Sequence, residues 1–289
     1  MDLQGAVVVI TGASRGIGAA VARDVAARGS LVGLIARSAE DLEGVLGDIG
    51  ARGVVATADV SDRQATIDAI GRVEDALGPV DVLVANAGIG AYGPLVDMSY
   101  EELERVVRVN VLGTIYAIRA VLPGMVERRR GHLVTIGSIA GRIGSPFEAV
   151  YSATKFAGVG LTEALAVEVA PYGIGVSLVN PGVVETEFGN ARGHPYDRER
   201  PRPISAEVVA AAVVEAVRRD VAEAYVPRSF RGAVVARHLF PPLFRWGTAR
   251  SFRSELRADA AKRPSRPRRP QRSGASADCA RRAEPRSHR

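Results

Sequence analysis

The sequence predicts one α/β domain, in which a single doubly wound parallel sheet of about seven strands carries helices on both faces. Three observations lead to this prediction. Short β-branched runs alternate with longer stretches of helical spacing as far as residue 226. The first run, AVVVI at 6–10, is apolar at every position, which is typical of a strand covered on both faces. Hydrophobic residues make up 47% of the chain, enough for a large core, and alternation of strands with helices favours a parallel sheet.

The strands are predicted from the β-branched runs that separate the helices. They lie at 6–10, 31–36, 54–58, 80–86, 132–137, 176–180 and 224–226. The helices are predicted where apolar residues recur at helical spacing, and Gly29 is a stop signal for the first of them. They lie near 17–28, 39–50, 62–77, 100–129, 150–170 and 205–219. No repeat or linker interrupts this order, so we expect one domain over residues 1–227.

The basic charge of the protein is concentrated at its C-terminus. The formal net charge is +6, but residues 250–289 hold 13 basic and four acidic residues, which leaves −3 for the rest. We predict that residues 254–289 form a disordered basic tail, because they contain few large apolar side chains. A nucleic-acid or acidic-membrane arm is the alternative to a solvated tail. No aromatic residue interleaves these arginines, so we expect no specific nucleic-acid partner.

Residues 228–253 are predicted to form an amphipathic C-terminal extension. They hold four of the seven Phe, the only Trp and six arginines. One interpretation packs this segment on its own domain or on a dimer partner. The alternative is a flap that meets a membrane surface or a lipid-like substrate.

Several classes of protein are disfavoured by composition. The single cysteine, Cys279, excludes an internal disulfide framework and indicates a reducing compartment. The four histidines are far apart in sequence and no CxxC or HExxH occurs, so we expect no metal site. The N-terminus lacks the pattern of a signal peptide, and no run of about 18 uncharged apolar residues indicates a membrane span. We therefore expect a cytoplasmic protein.

The stretch TGASRGIG at 11–18 lies between the first strand and the first helix. Its glycines, Gly12, Gly16 and Gly18, permit a tight turn and a close approach of the backbone to a ligand. The N-terminus of the helix that follows offers free N–H groups to a pyrophosphate. Its position favours a dinucleotide site over an ordinary connecting loop.

The stretch YSATK at 151–155 carries the only lysine of residues 1–249. Tyr151 and Lys155 are four residues apart, so they share one face of a helix. A cation beside a phenol favours the phenolate, which lets tyrosine exchange a proton near neutral pH. Lysine is a compact ammonium that also suits ribose hydroxyls, whereas the wider fork of arginine does not fit the same place. We predict that this pair transfers a proton.

Seven motifs in this order resemble the short-chain dehydrogenase/reductase family. They are TGASRGIG, the pair Asp59 and Val60, NAG at 86–88, VNVLGT at 109–114, IGSIAG at 136–141, YSATK, and NPGVVET at 180–186. The resemblance covers about residues 4–226, and Ala85 stands where the family often has asparagine. It implies a Rossmann-like fold and the interconversion of a carbonyl and an alcohol with a nicotinamide cofactor. We expect a homodimer or homotetramer.

The resemblance also implies roles for individual residues. The catalytic set is Asn110, Ser138, Tyr151 and Lys155, in which Ser138 binds the substrate oxygen and Asn110 supports a water-mediated proton path from the lysine. The cofactor set comprises Gly12, Ser14, Arg15, Gly16, Ile17, Gly18, Arg37, Asp59, Val60, Asn86, Ala87, Gly88, Tyr151, Lys155, Pro181, Gly182, Val184 and Thr186. The substrate set comprises Ser138, Ile139, Ala140, Phe147, Tyr151, Val183 and Phe188, with a substrate loop at 187–204.

The end of the second strand predicts NADP rather than NAD. An acidic residue there would hold the adenosine 2′-hydroxyl of NAD and repel a 2′-phosphate. This strand ends in Ala36 followed by Arg37, and Arg15 is a second cation that reaches the same region. Arginine suits a phosphate because its fork makes bidentate hydrogen bonds.

The substrate is less defined by the sequence. The mostly apolar pocket residues suggest an apolar ketone or alcohol, with a 3-oxoacyl thioester reductase as an alternative. A non-catalytic cofactor-binding regulator or a membrane-surface protein is the alternative from a different class. The intact catalytic set argues against the regulator.

Overall fold

The computed structural model describes residues 1–50, 52–191, 193 and 201–262. The chain divides into two units, Met1–Arg245 and Trp246–Arg289. The predicted disorder of 263–289 and part of the predicted substrate loop, residues 192 and 194–200, lie outside the described residues.

Seven parallel strands form one sheet, which confirms the predicted fold class. They are β1 Val7–Thr11, β2 Leu31–Ala36, β3 Gly53–Thr57, β4 Val82–Ala85, β5 Gly131–Ile136, β6 Ile174–Pro181 and β7 Glu223–Val226. Their order is β3-β2-β1-β4-β5-β6-β7. The chain winds outward from β1 in one direction and from β4 in the other, and ligands bind at such a switch point, outside the carboxyl ends of the strands.

Helices cover both faces of the sheet. They are α1 Gly16–Ala27, α2 Ala39–Ile49, α3 Arg63–Leu77, α4 Tyr100–Val107, α5 Gly113–Arg128, α6 Ala149–Val169, α7 Phe188–Ala191 and α8 Ala206–Arg219. Side chains of β1 alternate between the two resulting cores: Val8 and Ile10 pack with α1, α2 and α8, whereas Val7 and Val9 pack with α3, α5 and α6. The all-apolar first strand therefore serves two cores, as its sequence predicts.

The predicted helix at 100–129 is interrupted by one π turn, Arg108–Leu112, between α4 and α5. Such a turn inserts one extra residue and is frequent at functional sites. Asn110 lies at its centre. Helical spacing alone does not reveal it, because the apolar pattern continues on both sides.

The run Tyr100–Arg128 is also long and apolar enough to cross a membrane by length and composition alone, with a mean hydropathy of 1.5 in its most apolar window. In the fold, its Ala117, Val121 and Met125 side chains are buried in the second core. We therefore interpret it as a core helix of the domain.

The C-terminal part of the chain is more helical than the sequence predicts. Helix α9 is Phe230–Leu239, α10 is Pro241–Ser251 and α11 is Arg253–Lys262. The compact unit runs to Arg245, beyond the predicted boundary at 227, because α9 packs on the domain. The predicted disorder from residue 254 is wrong as far as residue 262, since this stretch holds good helix formers, with Glu255 in the first turn and Lys262 in the last.

A buried histidine lies near the amino end of β5, on the side of the sheet away from the carboxyl ends of the strands. His132 is 3% exposed, and its Nε2 lies 2.8 Å from the Ser177 hydroxyl oxygen. That hydroxyl donates to the Val221 carbonyl at 2.7 Å, so His132 donates from Nε2. Burial lowers the pKa of His132 to about 4, against the opposing attraction of Asp220, whose carboxylate lies 3.8 Å from Nδ1.

His132 should make stability depend on pH in mild acid. Between its ordinary pKa of 6.5 and its folded pKa of about 4, the unfolded chain binds a proton that the folded chain does not. Stability is therefore present above this window and falls as pH drops through it, by up to about 1.4 kcal/mol per pH unit. His132→Gln keeps a donor toward Ser177. In urea unfolding, it should remove the part of the pH dependence of the unfolding free energy that comes from the uptake of about one proton. The exposed His238→Gln is the control, and equal slopes for the two variants would contradict this account.

Candidate active site

The ends of β1 and β4 are joined by one buried threonine. The hydroxyl oxygen of Thr11 accepts from the backbone N–H groups of Asn86 and Ala87, both at 3.1 Å. The Asn86 amide nitrogen donates in turn to the carbonyls of Thr11 at 2.9 Å and Gly12 at 3.1 Å. Sequence reasoning did not select Thr11, although a hydroxyl at the end of the first buried strand was the available signal.

The glycine turn lies directly against this joint. Gly12 has φ of +66°, and a Cβ there would lie 2.8 Å from the Cα of Ala87. A Cβ on Gly18 would lie 2.2 Å from the Gly12 carbonyl oxygen. These positions therefore require glycine, and Ser14 and Ile17 complete the turn with half-buried side chains.

The N-terminus of α1 is suited to an anion. Gly16 is its first residue, and Arg15 precedes it without making a side-chain capping bond within the described part of the chain. Backbone N–H groups of the first turn have no partner inside a helix. Together with the glycine contacts, this arrangement fits the pyrophosphate of a dinucleotide.

The segment after β6 lies across the glycine turn. Arg15 and Glu187 form an ion pair of 2.6 Å, although both side chains are more than half exposed. The Thr186 hydroxyl oxygen accepts from the N–H of Phe188. Val184 forms a parallel bridge with Ile204, which fixes the base of the loop that begins at residue 187.

The Asn110 side chain is buried and held from three directions. Its Oδ1 accepts from the Ile89 N–H at 2.8 Å, and its Nδ2 donates to the Ile89 carbonyl at 2.9 Å and to the Thr154 hydroxyl at 3.0 Å. Thr154 donates to the Tyr151 carbonyl at 2.7 Å. The π turn is thereby tied both to the loop after β4 and to the helix that carries Tyr151.

Tyr151 and Lys155 lie side by side on α6, as the four-residue spacing predicts. The Lys155 Nζ lies 5.7 Å from the centre of the Tyr151 ring and donates to the Ile136 carbonyl at 2.9 Å. Burial of the ammonium lowers the pKa of Lys155 to about 8. A Cβ on Gly88 would lie 3.3 Å from the Asn110 Oδ1 and 3.7 Å from this Nζ, so Asn110, Gly88 and Lys155 come together.

Ser138 follows β5 and begins the short 3₁₀ helix Ile139–Gly141. Its Oγ accepts from the Ala140 N–H at 3.1 Å, which leaves the hydroxyl proton available to a ligand. The turn packs tightly on α6, since a Cβ on Gly141 would lie 2.7 Å from the Lys155 carbonyl oxygen. The contact between this turn, which follows β5, and α6 therefore positions both Ser138 and Lys155.

The predicted substrate residues divide into two groups. The rings of Phe188 and Tyr151 lie 5.7 Å apart, which brings the start of the substrate loop to the candidate proton donor. Phe147 lies instead against Tyr92, at 5.8 Å between ring centres, and its carbonyl accepts from the Gly93 N–H at 2.7 Å. Sequence reasoning missed Tyr92. The remaining members differ in exposure: Ile139 and Val183 are half-buried and Ala140 is buried.

The predicted adenosine end lies beyond β2 and β3. Arg37 is exposed, directly after the buried Ala36. The Asp59 carboxylate accepts from the backbone N–H of Ser61 at 2.9 Å and from its hydroxyl at 2.7 Å. Burial opposes ionisation of Asp59, but these hydrogen bonds and the charge of Arg37 outweigh it and lower its pKa. Val60 is buried, so it offers shape rather than charge.

A match to a family model accompanies this geometry. Residues 6–197 match the family described as short chain dehydrogenase, and this stretch is more than half of the chain. The chain belongs to the short-chain dehydrogenase/reductase family. The resemblance carried by the seven motifs is therefore confirmed.

Individual relatives agree with this assignment. Glycine betaine reductase ATRR of Emericella nidulans is 40% identical over 189 residues, which span 64% of this chain but only 15% of that protein. The 3-oxoacyl-acyl-carrier-protein reductase FabG of Escherichia coli is 36% identical over 191 residues, 66% of this chain and 78% of that protein. A short-chain dehydrogenase/reductase from Burkholderia phymatum, solved in complex with NAD, is 27% identical with a TM-score of 0.77 and covers 84% of this chain and 96% of its own.

A second solved structure carries the other cofactor type. The alcohol dehydrogenase from Thermococcus sibiricus, complexed with 5-hydroxy-NADP, is 30% identical with a TM-score of 0.69, over 76% of this chain and 94% of its own. Members of the short-chain dehydrogenase/reductase family are oxidoreductases that bind NAD or NADP. They generally act on small molecules and form oligomers.

In this short-chain dehydrogenase/reductase, a charged network that the sequence did not predict runs from the protein interior to its surface and supports the site. The fully buried Asn180, just before Pro181 and Gly182, donates to the Glu223 carboxylate at 2.7 Å. Arg142 donates to the same carboxylate at 2.8 Å and to Glu163 at 2.7 Å. The network joins the end of β6, the Ser138 turn and α6. Its partners are far apart in sequence, so no local pattern could have found them.

Proposed function

We propose that this protein is an NADP(H)-dependent oxidoreductase that interconverts a ketone and a secondary alcohol, with Tyr151 as the proton donor or acceptor. One observation carries the proposal: Lys155, the only lysine of residues 1–249, is half-buried and holds its ammonium 5.7 Å from the centre of the Tyr151 ring. An ammonium that is withdrawn from water and bonded to a neutral carbonyl rather than to a carboxylate is unfavourable for folding, so its presence beside a phenol is best explained by chemistry.

The bound cofactor supplies or accepts the hydride. Ser138 binds the substrate oxygen, because its Oγ already accepts from Ala140 and its proton is free to donate. Tyr151 gives its proton to that oxygen in reduction and removes it in oxidation. Lys155 stabilises the phenolate and holds the ribose hydroxyls, and Asn110 supports the proton path beside it.

The substrate is proposed to be apolar. Phe188 lies beside Tyr151, and Ile139 and Val183 are half-buried. All three side chains are hydrocarbon, so the lining around the substrate oxygen is apolar rather than charged. A 3-oxoacyl thioester is the competing substrate, and the 36% identity to the Escherichia coli 3-oxoacyl reductase supports it.

A homodimer or homotetramer is proposed for the assembly. Leu95, Val96, Tyr100 and Val107 form an apolar surface and are 41–81% exposed. Nearby, α4 and the start of α6 line a groove of about 690 Å³. This groove includes Ala149, Val150 and Ala153 but not Tyr151. It is therefore suited to subunit contact and does not belong to the candidate active site.

The activity is tested by oxidation of NADPH with a panel of apolar ketones and a 3-oxoacyl thioester. We expect turnover with at least one compound, and Tyr151→Phe should lower kcat by about 10²–10⁴-fold, the usual contribution of proton transfer. Binding of NADPH should change little, since only the hydroxyl is lost. Tyr172→Phe, which alters a surface tyrosine, is the matched control. No turnover with any compound would favour a non-catalytic regulator, and an active Tyr151→Phe would exclude Tyr151 as the proton donor.

The NADP preference rests on two cations. Ala36, at the end of β2, stands where NAD-binding folds place an acid, and Arg37 lies beside it with its side chain exposed to solvent. Arg15 reaches from the glycine turn but is paired with Glu187. Since an exposed ion pair contributes little, we propose that Arg15 exchanges Glu187 for the 2′-phosphate.

Titration of both cofactors tests the preference. We expect NADPH to bind more tightly than NADH, and Ala36→Asp/Arg37→Ala should shift the ratio toward NADH by roughly tenfold to a hundredfold, the value of one charged hydrogen bond. Glu187→Gln should shift it toward NADPH by freeing Arg15. Arg63→Ala, at the exposed start of α3, should leave the ratio unchanged. Tighter binding of NADH by the unmutated protein would refute the preference.

A further inference from the structure

We propose that the outer face of α9, continued by the start of α10, binds the surface of an anionic lipid bilayer. We call this the α9 outer face and define it by Val235, Leu239, Phe240 and Leu243. The inference concerns binding and does not depend on the proposed reaction.

Helix α9 has an inner face that fixes its orientation on the domain. Phe230, Val234 and Arg237 follow one another at helical spacing. The Phe230 ring packs against Gly182, where a Cβ would lie 2.3 Å from a ring atom, and Val234 is 8% exposed. The Arg237 guanidinium lies 5.3 Å from the centre of the Phe156 ring on α6. With this side held, Val235 and Leu239, which lie on the opposite side of α9, are directed away from the domain.

The α9 outer face is apolar and open to solvent. Val235 is 49% exposed, Leu239 66%, Phe240 58% and Leu243 63%. Val235 and Leu239 are four residues apart on α9, while Phe240 and Leu243 follow at the junction with α10. Large apolar side chains clustered at this exposure mark an interaction site rather than ordinary surface.

The charge around this face is positive on a negative domain. Residues 228–245 hold no acidic residue and four arginines, of which Arg228, Arg231 and Arg245 remain besides the inner-face Arg237. Residues 1–227 hold 21 basic and 28 acidic residues, a net −7. Such asymmetry orients the protein toward an anionic surface with α9 in front, and basic residues flanking Leu and Phe are typical of helices that lie in the membrane interface.

A second copy of this chain is the competing occupant, because its domain is acidic. A stable protein interface needs about 800 Å² on each partner, which these four side chains do not supply without an adjoining groove like the one beside Leu95 and Val107. Insertion into a bilayer needs only a few apolar side chains together with basic charge. The lipid surface is therefore the better fit.

The location of α9 gives this binding a consequence for the active site. Its inner face touches Gly182 and the helix that carries Tyr151 and Lys155. Docking through the outer face would hold the candidate active site close to the bilayer, from which an apolar substrate can be delivered. This consequence alone rests on the proposed function.

Co-sedimentation of the full-length protein with vesicles tests the proposal, without cofactor or substrate, so that its result is separate from turnover. Vesicles of phosphatidylcholine alone are compared with vesicles that also contain phosphatidylglycerol. The variant Leu239→Ser/Phe240→Ser/Leu243→Ser removes the apolar side chains without touching the domain core. The matched control is Ile67→Ser/Val167→Ser/Val208→Ser, which removes three exposed apolar side chains that lie outside both α9 and the proposed subunit contact. Both keep the basic tail, so any attraction of the tail to the vesicles is equal.

We expect the α9 variant to bind phosphatidylglycerol vesicles at least about tenfold more weakly than the wild type. The control should bind within about twofold of the wild type, and vesicles of phosphatidylcholine alone should bind less of every protein. Equal binding by the two variants would overturn the proposal, as would equal binding to the two kinds of vesicle. A fall in oligomer mass in the α9 variant, measured by light scattering without lipid, would assign this face to a second copy instead.

Discussion

The bond from the Lys155 ammonium to the Ile136 carbonyl ties the candidate catalytic helix to the edge of the sheet. Burial of that ammonium disfavours its charge and lowers its pKa to about 8. The same placement brings the cation beside the Tyr151 ring and behind the turn that carries Ser138. All other basic residues of 1–249 are arginines. The chain therefore holds a lysine, with a lowered pKa, at the one position where proton transfer needs a compact charge.

The sheet determines which loops meet at this position. In a parallel sheet the carboxyl ends of the strands share one edge, so the loops after β1, β4, β5 and β6 converge there. Hydrogen bonds to Thr11 join the loops after β1 and β4. The network of Asn180, Glu223 and Arg142 joins the loops after β5 and β6. Both are positioning elements, which hold the reacting groups within the tolerance that catalysis requires.

Much of this architecture could be predicted because its signals are local. The seven strands are separate β-branched runs, and the pairing of Tyr151 with Lys155 follows from helical spacing. The π turn at Arg108–Leu112, the Thr11 joint and the Arg142 network were not predicted. Each depends on atoms that only the folded chain brings together. The helix Arg253–Lys262 was missed for another reason: the tail composition, averaged over 36 residues, hid a short run of strong helix formers.

The central claim is that Lys155 is kept for chemistry at the expense of stability, and urea unfolding of Lys155→Met tests it most directly. Because the folded pKa is lowered from 10.5 to about 8, the wild type should gain stability as pH rises through that window, while the variant should not. At about pH 7 we expect Lys155→Met to be more stable by about 1–2 kcal/mol, after allowance for the lost bond to Ile136. At about pH 10 the difference should nearly vanish, and Lys262→Met, the change at the only other lysine, should show no such pattern. A Lys155→Met variant that is less stable than the wild type at about pH 7 would contradict the account.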